Sequence, residues 1–392
     1  RMTAVSRVAV CGAGAMGSGI ALIAAQSGAT VRLFDLSADA LAAARKRTSK
    51  ALDGLVAKGR LEAADAAAIL ERVVCTEDLE ALADSELVIE AIVENAAIKA
   101  ELFARLEAIV GPETILASNT SSLPIAGLAK PLVRPERFVG MHFFNPPGAM
   151  KLVEIISGPA TDAAATEAVT TAAKAWGKVA VPVADVPGFI VNRVARPFYA
   201  EAFTALQEQA ASAGTIDAAV RAAGFRMGPL ELTDFIGQDV NFTVARSVHD
   251  AYFGRTRFVP QRAQAALVDA GWYGRKAGRG IYDYSEGAPA PASIDAVPRA
   301  VPDGQGRAEA EALLRSAPGE LLPVSGASIG ITAGRTASAL AAETGKPVAL
   351  IDWTLAENDG PVIFAASDGA AAEVAIDLAG ALGRAAIRIA DR

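Results

Sequence analysis

Apolar residues along this chain follow two spacings, and the changes between them mark out its parts. Arg7 to Cys11 is a short apolar run bounded by glycine, which predicts a buried strand. Helical spacing follows from Gly17 to Gln26 and stops at Gly28, a residue suited to helix ends. Thr30 to Phe34 reads as a second strand, followed by helical patterns over Ala38 to Lys58 and Glu62 to Arg72. Strand-like runs recur at Leu87–Ile92, Thr114–Ala117, Phe138–Phe143, Leu152–Ile156 and Val179–Val183, with helical patterns at Ala96–Val110 and Ala163–Trp176. Strands alternating with helices predict a parallel sheet covered on both faces. Asp185-Val186-Pro187-Gly188 ends the alternation, and Phe189 to about Ala270 is helical in period. The chain therefore divides into an α/β domain (1–186), an all-helical domain (187–285), a proline- and alanine-rich linker (286–320) and a small C-terminal α/β domain (321–392).

Composition narrows the classes of function. The 392 residues exceed one ordinary core. A net charge of -7 offers no broad positive field for nucleic acid. Two cysteines, Cys11 and Cys75, exclude a disulfide framework and suit the reducing cytoplasm. No cysteine–histidine cluster suggests a metal site, and no apolar run is long enough to cross a bilayer. The first strand follows no leader segment, which also points to the cytoplasm.

Gly12-Ala13-Gly14-Ala15-Met16-Gly17 lies between the first strand and the first helix, the context a dinucleotide fingerprint requires. Gly12 permits the turn, Gly14 lets backbone approach a pyrophosphate, and Gly17 lets helix pack on strand. Ala15 and Met16 lie within the fingerprint, which leads into a helix whose free amides favour phosphate. Asp35, at the end of the second strand, can accept both ribose hydroxyls and repels a 2′-phosphate, so NAD is expected rather than NADP. The domain is thus predicted to be Rossmann-like; a purely structural glycine turn is the alternative.

The chain has two histidines. His249 falls mid-helix and reads as a surface or packing residue. His142 falls where a strand gives way to the loop Phe144-Asn145-Pro146-Pro147, at the sheet edge where ligands bind in such folds. Glu154, at the end of the next strand-like run, could hold its imidazole in one tautomer. A buried packing histidine remains the alternative.

Several segments, in order, resemble the L-3-hydroxyacyl-CoA dehydrogenase family. They are Gly12–Gly17 with Asp35, Glu90–Asn95, Ser118–Leu123, His142–Pro147 with Glu154, Asp185–Arg193, Met227–Leu232 and Gly274–Gly280, together spanning residues 5 to 285. The resemblance implies oxidation of a 3-hydroxyacyl thioester, with His142 as base and Glu154 as its partner. It implies that Ser121 and Asn192 bind the reacting oxygens, and that Glu94, Lys99, Ser121 and Asn145 line the nicotinamide and ribose. Ser121 as a helix cap and Asn192 as an interhelical hydrogen bond are the structural alternatives. Lys58 matches a coenzyme A contact, within a basic group of Arg45, Lys46, Arg47, Lys50, Lys58 and Arg60 that reads equally as a solvated helix face. The family also implies a homodimer through the helical domain. Relatives with a shortened third unit suggest 3-hydroxybutyryl-CoA or 3-hydroxyadipyl-CoA as substrate. A free hydroxy acid, or a non-catalytic reuse of the fold, are the competing readings.

Residues 366–391 repeat 160–185 at a constant offset, with Asp162, Glu167, Gly177 and Asp185 falling on Asp368, Glu373, Gly383 and Asp391. The repeat predicts a duplicated architecture, and a native protein that continues into a second helical domain. The third unit has no histidine, and Gly326-Ala327-Ser328-Ile329-Gly330 replaces the fingerprint, so it is expected neither to bind NAD nor to catalyse.

Overall fold

A computed structural model of the chain describes residues 5–288, 296–297, 306–352 and 361–391. It divides into two compact units, Arg1–Arg193 and Val194–Arg392.

The first unit is an eight-stranded sheet with helices on both faces. Its strands are β1 (Arg7–Cys11), β2 (Thr30–Phe34), β3 (Val73–Thr76), β4 (Leu87–Glu90), β5 (Ile115–Ser118), β6 (Phe138–Phe143), β7 (Leu152–Ser157) and β8 (Val179–Ala184). Its helices are α1 (Ala15–Gln26), α2 (Ala38–Val56), α3 (Ala63–Arg72), α4 (Ala96–Ile109), α5 (Ile125–Ala129) and α6 (Ala163–Ala175). Strand order is β3-β2-β1-β4-β5-β6-β7-β8, so the order reverses between β1 and β4. A crevice opens at such a reversal, at the carboxyl ends of the strands. Alternate residues of β1 face opposite sides: Val8 and Val10 join a core with α1, α2 and α6, whereas Ala9 and Cys11 join one with α4 and α5. Side chains fix several helix starts: Ser37 accepts from the Ala40 amide, and Asn95 from those of Ala97 and Ile98.

The all-parallel expectation fails at one pair. β7 runs antiparallel to β6, with His142 opposite Glu154. The physical reason is the connection: residues 144–151 contain no helix, and a parallel return needs a crossover. β8 then pairs parallel with β7 after α6.

In the second unit, α7 (Val191–Gln207), which begins before the boundary, leads to α8 (Ala213–Ala222), α9 (Pro229–Ile236), α10 (Gln238–Ala251) and α11 (Arg262–Asp269). Two fully buried carboxylates tie this helical part together. Asp217 accepts from the Leu230 and Glu231 amides and the Tyr282 hydroxyl, and Asp234 from the Ile281 and Tyr282 amides and the Tyr284 hydroxyl. Burial and the Asp217 bond push the Tyr282 hydroxyl above its ordinary range, so it stays a donor.

Most of the proline-rich stretch, residues 289–295 and 298–305, lies outside the described residues. The linker expectation is corrected at its far end, where α12 (Arg307–Arg315) buries Ala310 and Leu313 in the C-terminal core. Its apolar side chains recur three residues apart, enough to seat one face. The C-terminal sheet comprises β9 (Ala296–Val297), β10 (Leu321–Val324), β11 (Ala327–Ile331), β12 (Val348–Ile351), β13 (Val362–Ala366) and β14 (Ala386–Arg388), ordered β10-β11-β12-β13-β14-β9. Helices α13 (Ala337–Thr344) and α14 (Gly369–Ala381) complete it.

The run β11-α13-β12-β13-α14-β14 copies β5-α5-β6-β7-α6-β8. Both show parallel, antiparallel and parallel pairing in that order. Asp162 and Asp368 each cap the helix that follows. Gly177 and Gly383 end those helices at φ of 73° and 69°. Asp185 accepts from the first two amides of α5, Ile125 and Ala126, and Asp391 likewise from Ala337 and Ser338 of α13.

Candidate active site

The glycine loop folds as its residue types require. Gly12 has φ of 106°, and a Cβ there would lie 2.5 Å from the Ala91 carbonyl oxygen. A Cβ on Gly17 would overlap the Gly12 carbonyl, so Gly17 sets how closely α1 approaches the loop. A Cβ on Gly14 would meet nothing, which leaves space above the start of α1 for a phosphate group. Asp35 braces the loop: its Oδ2 accepts from the Ala13 amide at 2.7 Å and its Oδ1 from Ser37 at 3.0 Å. Gly12, Gly14 and Asp35 line a cavity of about 720 Å³ walled by Phe34, Ile92, Val93 and Leu102, of a size and apolarity that fit a nucleoside. Arg47 turns back from α2 to donate to the Ala13 carbonyl oxygen at 2.5 Å. Cys11, beneath the loop, is fully buried, and burial pushes its thiol far above the ordinary range; it is inert.

A second cavity of about 330 Å³ is lined by Met16, Glu94, Lys99, Asn119, Ser121, His142, Phe144, Asn145 and Asn192. His142 and Glu154 face each other across the β6–β7 ladder, and Nδ1 lies 2.7 Å from Glu154 Oε2. Glu154 Oε1 accepts from the Ile190 and Val191 amides, both at 2.9 Å. The carboxylate is thus held from both sides, 1% exposed, and leaves Nε2 as the imidazole nitrogen available to the cavity. Phe144 and Phe189 pack against the ring at 4.5 and 5.9 Å.

In the same cavity, Glu94 Oε1 accepts from the Ser121 amide at 3.0 Å, the Thr120 hydroxyl at 2.6 Å and the Ser122 hydroxyl at 3.1 Å. Asn192 donates to the Ser121 carbonyl oxygen at 3.3 Å. Asn119 accepts from the Phe143 amide at 2.8 Å, tying the loop after β5 to the end of β6. Lys178 donates to the carbonyl oxygens of Pro147 and Met150 at 2.6 and 2.9 Å, anchoring the loop that carries Asn145.

The structure thus brings together Ser121, His142, Glu154, Asn192, Glu94, Lys99, Asn145 and Met16, and gathers Gly12, Gly14 and Asp35 at the larger cavity. Ala15 stands exposed at the start of α1. Lys58 lies exposed in the turn after α2 and lines neither cavity. His249 lies in α10, next to Asp250 at 3.4 Å. Sequence reasoning missed Glu90, Asn119 and Lys178, and placed Arg47 in a basic group rather than at the glycine loop. Glu90 and Asn119 stood in segments already singled out, while Lys178 carried no local signal.

The chain matches the 3-hydroxyacyl-CoA dehydrogenase NAD binding domain over residues 7–186 and the same enzyme's C-terminal domain over 188–284. It belongs to the 3-hydroxyacyl-CoA dehydrogenase family. Its cofactor is NAD and its reaction the oxidation of a 3-hydroxyacyl-CoA. Residues 329–392 match the 3-hydroxybutyryl-CoA dehydrogenase reduced Rossmann-fold domain. A 3-hydroxyadipyl-CoA dehydrogenase of Escherichia coli is 43% identical over 90% of this chain and 72% of its own length. A probable 3-hydroxybutyryl-CoA dehydrogenase of Bacillus subtilis is 42% identical over 72% of this chain and 98% of its own. The crystal structure of an Escherichia coli 3-hydroxybutyryl-CoA dehydrogenase superposes with a TM-score of 0.87 at 40% identity, covering 99% of this chain and 81% of that one.

Within this dehydrogenase the reduced domain lacks the pair found in the first. Ile363 pairs with Ile387 as Glu154 does with Val181, so Ile363 holds the place of Glu154. Asp352, whose amide donates to the Ile363 carbonyl oxygen at 3.0 Å, holds the place of His142.

Proposed function

We propose that the chain oxidises a short or dicarboxylic (3S)-3-hydroxyacyl-CoA, 3-hydroxybutyryl-CoA or 3-hydroxyadipyl-CoA, with His142 as general base. The His142–Glu154 contact at 2.7 Å, at the wall of a cavity shared with Ser121, Asn145 and Asn192, carries this reading. NAD, when bound, would supply the hydride acceptor for C3, its nicotinamide end held by Glu94, Lys99 and Asn145. His142 Nε2 takes the hydroxyl proton as the C–O bond becomes a carbonyl, and Glu154 keeps Nδ1 protonated and stabilises the imidazolium. Ser121 and Asn192 hold the reacting oxygens, and Phe144 and Phe189 keep water from the ring. Glu94, Lys99 and Asn145 line the nicotinamide end, while Gly12, Gly14, Ala15, Met16, Gly17 and Asp35 hold the dinucleotide. The relatives' names, adipyl and butyryl, support the substrate choice.

The domain roles follow the same reading. Residues 1–186 bind NAD, 187–285 supply the substrate and dimer surface, and 321–392 are non-catalytic, with Asp352 and Ile363 where the proton-transfer pair would stand. Lys58 reaches the coenzyme A phosphates, and the protein works as a cytoplasmic homodimer. Among the described residues no helix is long and apolar enough to cross a membrane.

His142→Gln tests the mechanism. Turnover should fall by about 10²–10⁴-fold, the usual worth of a general base, with NAD affinity nearly unchanged by fluorescence titration. Near-normal turnover would overturn it. Steady-state kinetics across acyl-CoAs of differing length and terminal charge will rank the two substrates.

A further inference from the structure

Glu90 ends β4 with no solvent exposure and takes no part in the proton transfer. All its contacts show it accepting. Oε1 receives the Ile92 amide at 2.7 Å and the Lys99 ammonium at 2.5 Å, and Oε2 receives the Ser118 hydroxyl at 2.7 Å. Ser118 Oγ itself accepts from the Thr120 amide, so its proton is committed to Glu90. A carboxylate surrounded by donors is ionised. Lys99, 1% exposed, also lies 3.1 Å from Glu94 Oε2. Burial raises the Glu94 carboxyl, but the Thr120 hydroxyl and the Lys99 ammonium outweigh it and hold the group below its usual range, so Glu94 is charged as well. Two carboxylates thus share one ammonium, and the chain Glu90–Lys99–Glu94 carries a net single negative charge.

Glu94 and Lys99 line the smaller cavity with His142 and Asn145. We infer that Glu90 is a positioning residue: by sharing Lys99 it leaves Glu94 only partly compensated, and this favours the oxidised over the reduced dinucleotide. The inference rests on the reading that the nicotinamide occupies this cavity. An oxidised ring carries a positive charge and a reduced ring none, so a negative charge nearby stabilises only the former. Without Glu90, Lys99 would cancel Glu94 and the distinction would weaken. The His142–Glu154 pair contributes its own charge, but it is common to wild type and variant, so comparing them isolates Glu90.

The test is binary binding to the full chain, without acyl-CoA: NADH by fluorescence titration and NAD by displacement of NADH. In Glu90→Gln the ratio Kd(NADH)/Kd(NAD) should fall roughly tenfold, the order expected for one charge across a partly desolvated site. A purely structural role would weaken both forms alike, so an unchanged ratio in a variant that melts cooperatively overturns the inference. Should Glu90→Gln fail to fold, Glu94→Gln, whose side chain is 38% exposed, must show the same fall, and an unchanged ratio there overturns it equally. Failure of the wild type to bind either form would bring down the cofactor reading together with this one, whereas normal binding with an unmoved ratio removes this inference alone.

Discussion

Asp35 serves the loop and the ligand site with one carboxylate. Each of its oxygens already accepts one backbone amide, from Ala13 or Ser37, so its position is fixed before a ribose arrives. The remaining lone pairs face a cavity that it shares with Gly12 and Gly14. Asp35→Ala should therefore weaken NAD binding by about 10–100-fold, the worth of one or two hydrogen bonds to a charged group, and should narrow the preference over NADP. Titration with both dinucleotides checks this, and an unaltered preference would refute it. Asp35 was legible because its role depends on a local spacing from the glycine loop. Glu90 was not, because its meaning lies in Lys99, nine residues on and in another element. His142 and Glu154 stood between these cases. Their residue types suggested a pair, but a separation of twelve residues places them in contact only if the second strand turns back on the first.

That turn is the feature of the elements that periodicity could not reveal. Strand positions came through well, with β1, β2 and β6 spanning the expected residues. Direction did not, since a strand shows the same alternation whichever way it runs. β3 was missed because its four residues continue straight from α3 with no turn residue between them, and α12 because the proline-rich stretch before it set the tone. The return from β6 to β7 relies on Lys178 at the end of the α6–β8 link, whose ammonium gathers the Pro147 and Met150 carbonyls. Burial lowers its pKa, and the two carbonyl oxygens are what offset the lost hydration of the ammonium. Lys178→Met should raise KM for NAD several-fold, roughly what one lost hydrogen bond would cause, while kcat changes less. Hydrogen exchange should quicken in residues 144–151 and stay slow in β1; equal exchange in the loop would show that Lys178 does not hold it.

At the scale of the whole chain, the C-terminal sheet folds around its own core, with Leu313 of α12 buried against α14 and β11. Leu313→Ala should cost about 2–5 kcal/mol there, as for other buried leucines. Denaturant unfolding followed with kinetics should show a weakened transition with kcat unaltered if residues 321–392 do no chemistry. Because this unit copies half of the first sheet, it also acts as an internal control on the active site. The two halves share strand directions, the glycine stop and the aspartate that caps the neighbouring helix. At the rung that carries the proposed chemistry, a histidine facing a glutamate in the first becomes an aspartate beside a buried isoleucine in the second. Packing alone would choose the isoleucine, since a buried carboxylate must find partners to offset its lost hydration. The His142–Glu154 rung is therefore an occupant the sheet tolerates rather than one it needs, and the scaffold stands when that occupant is exchanged.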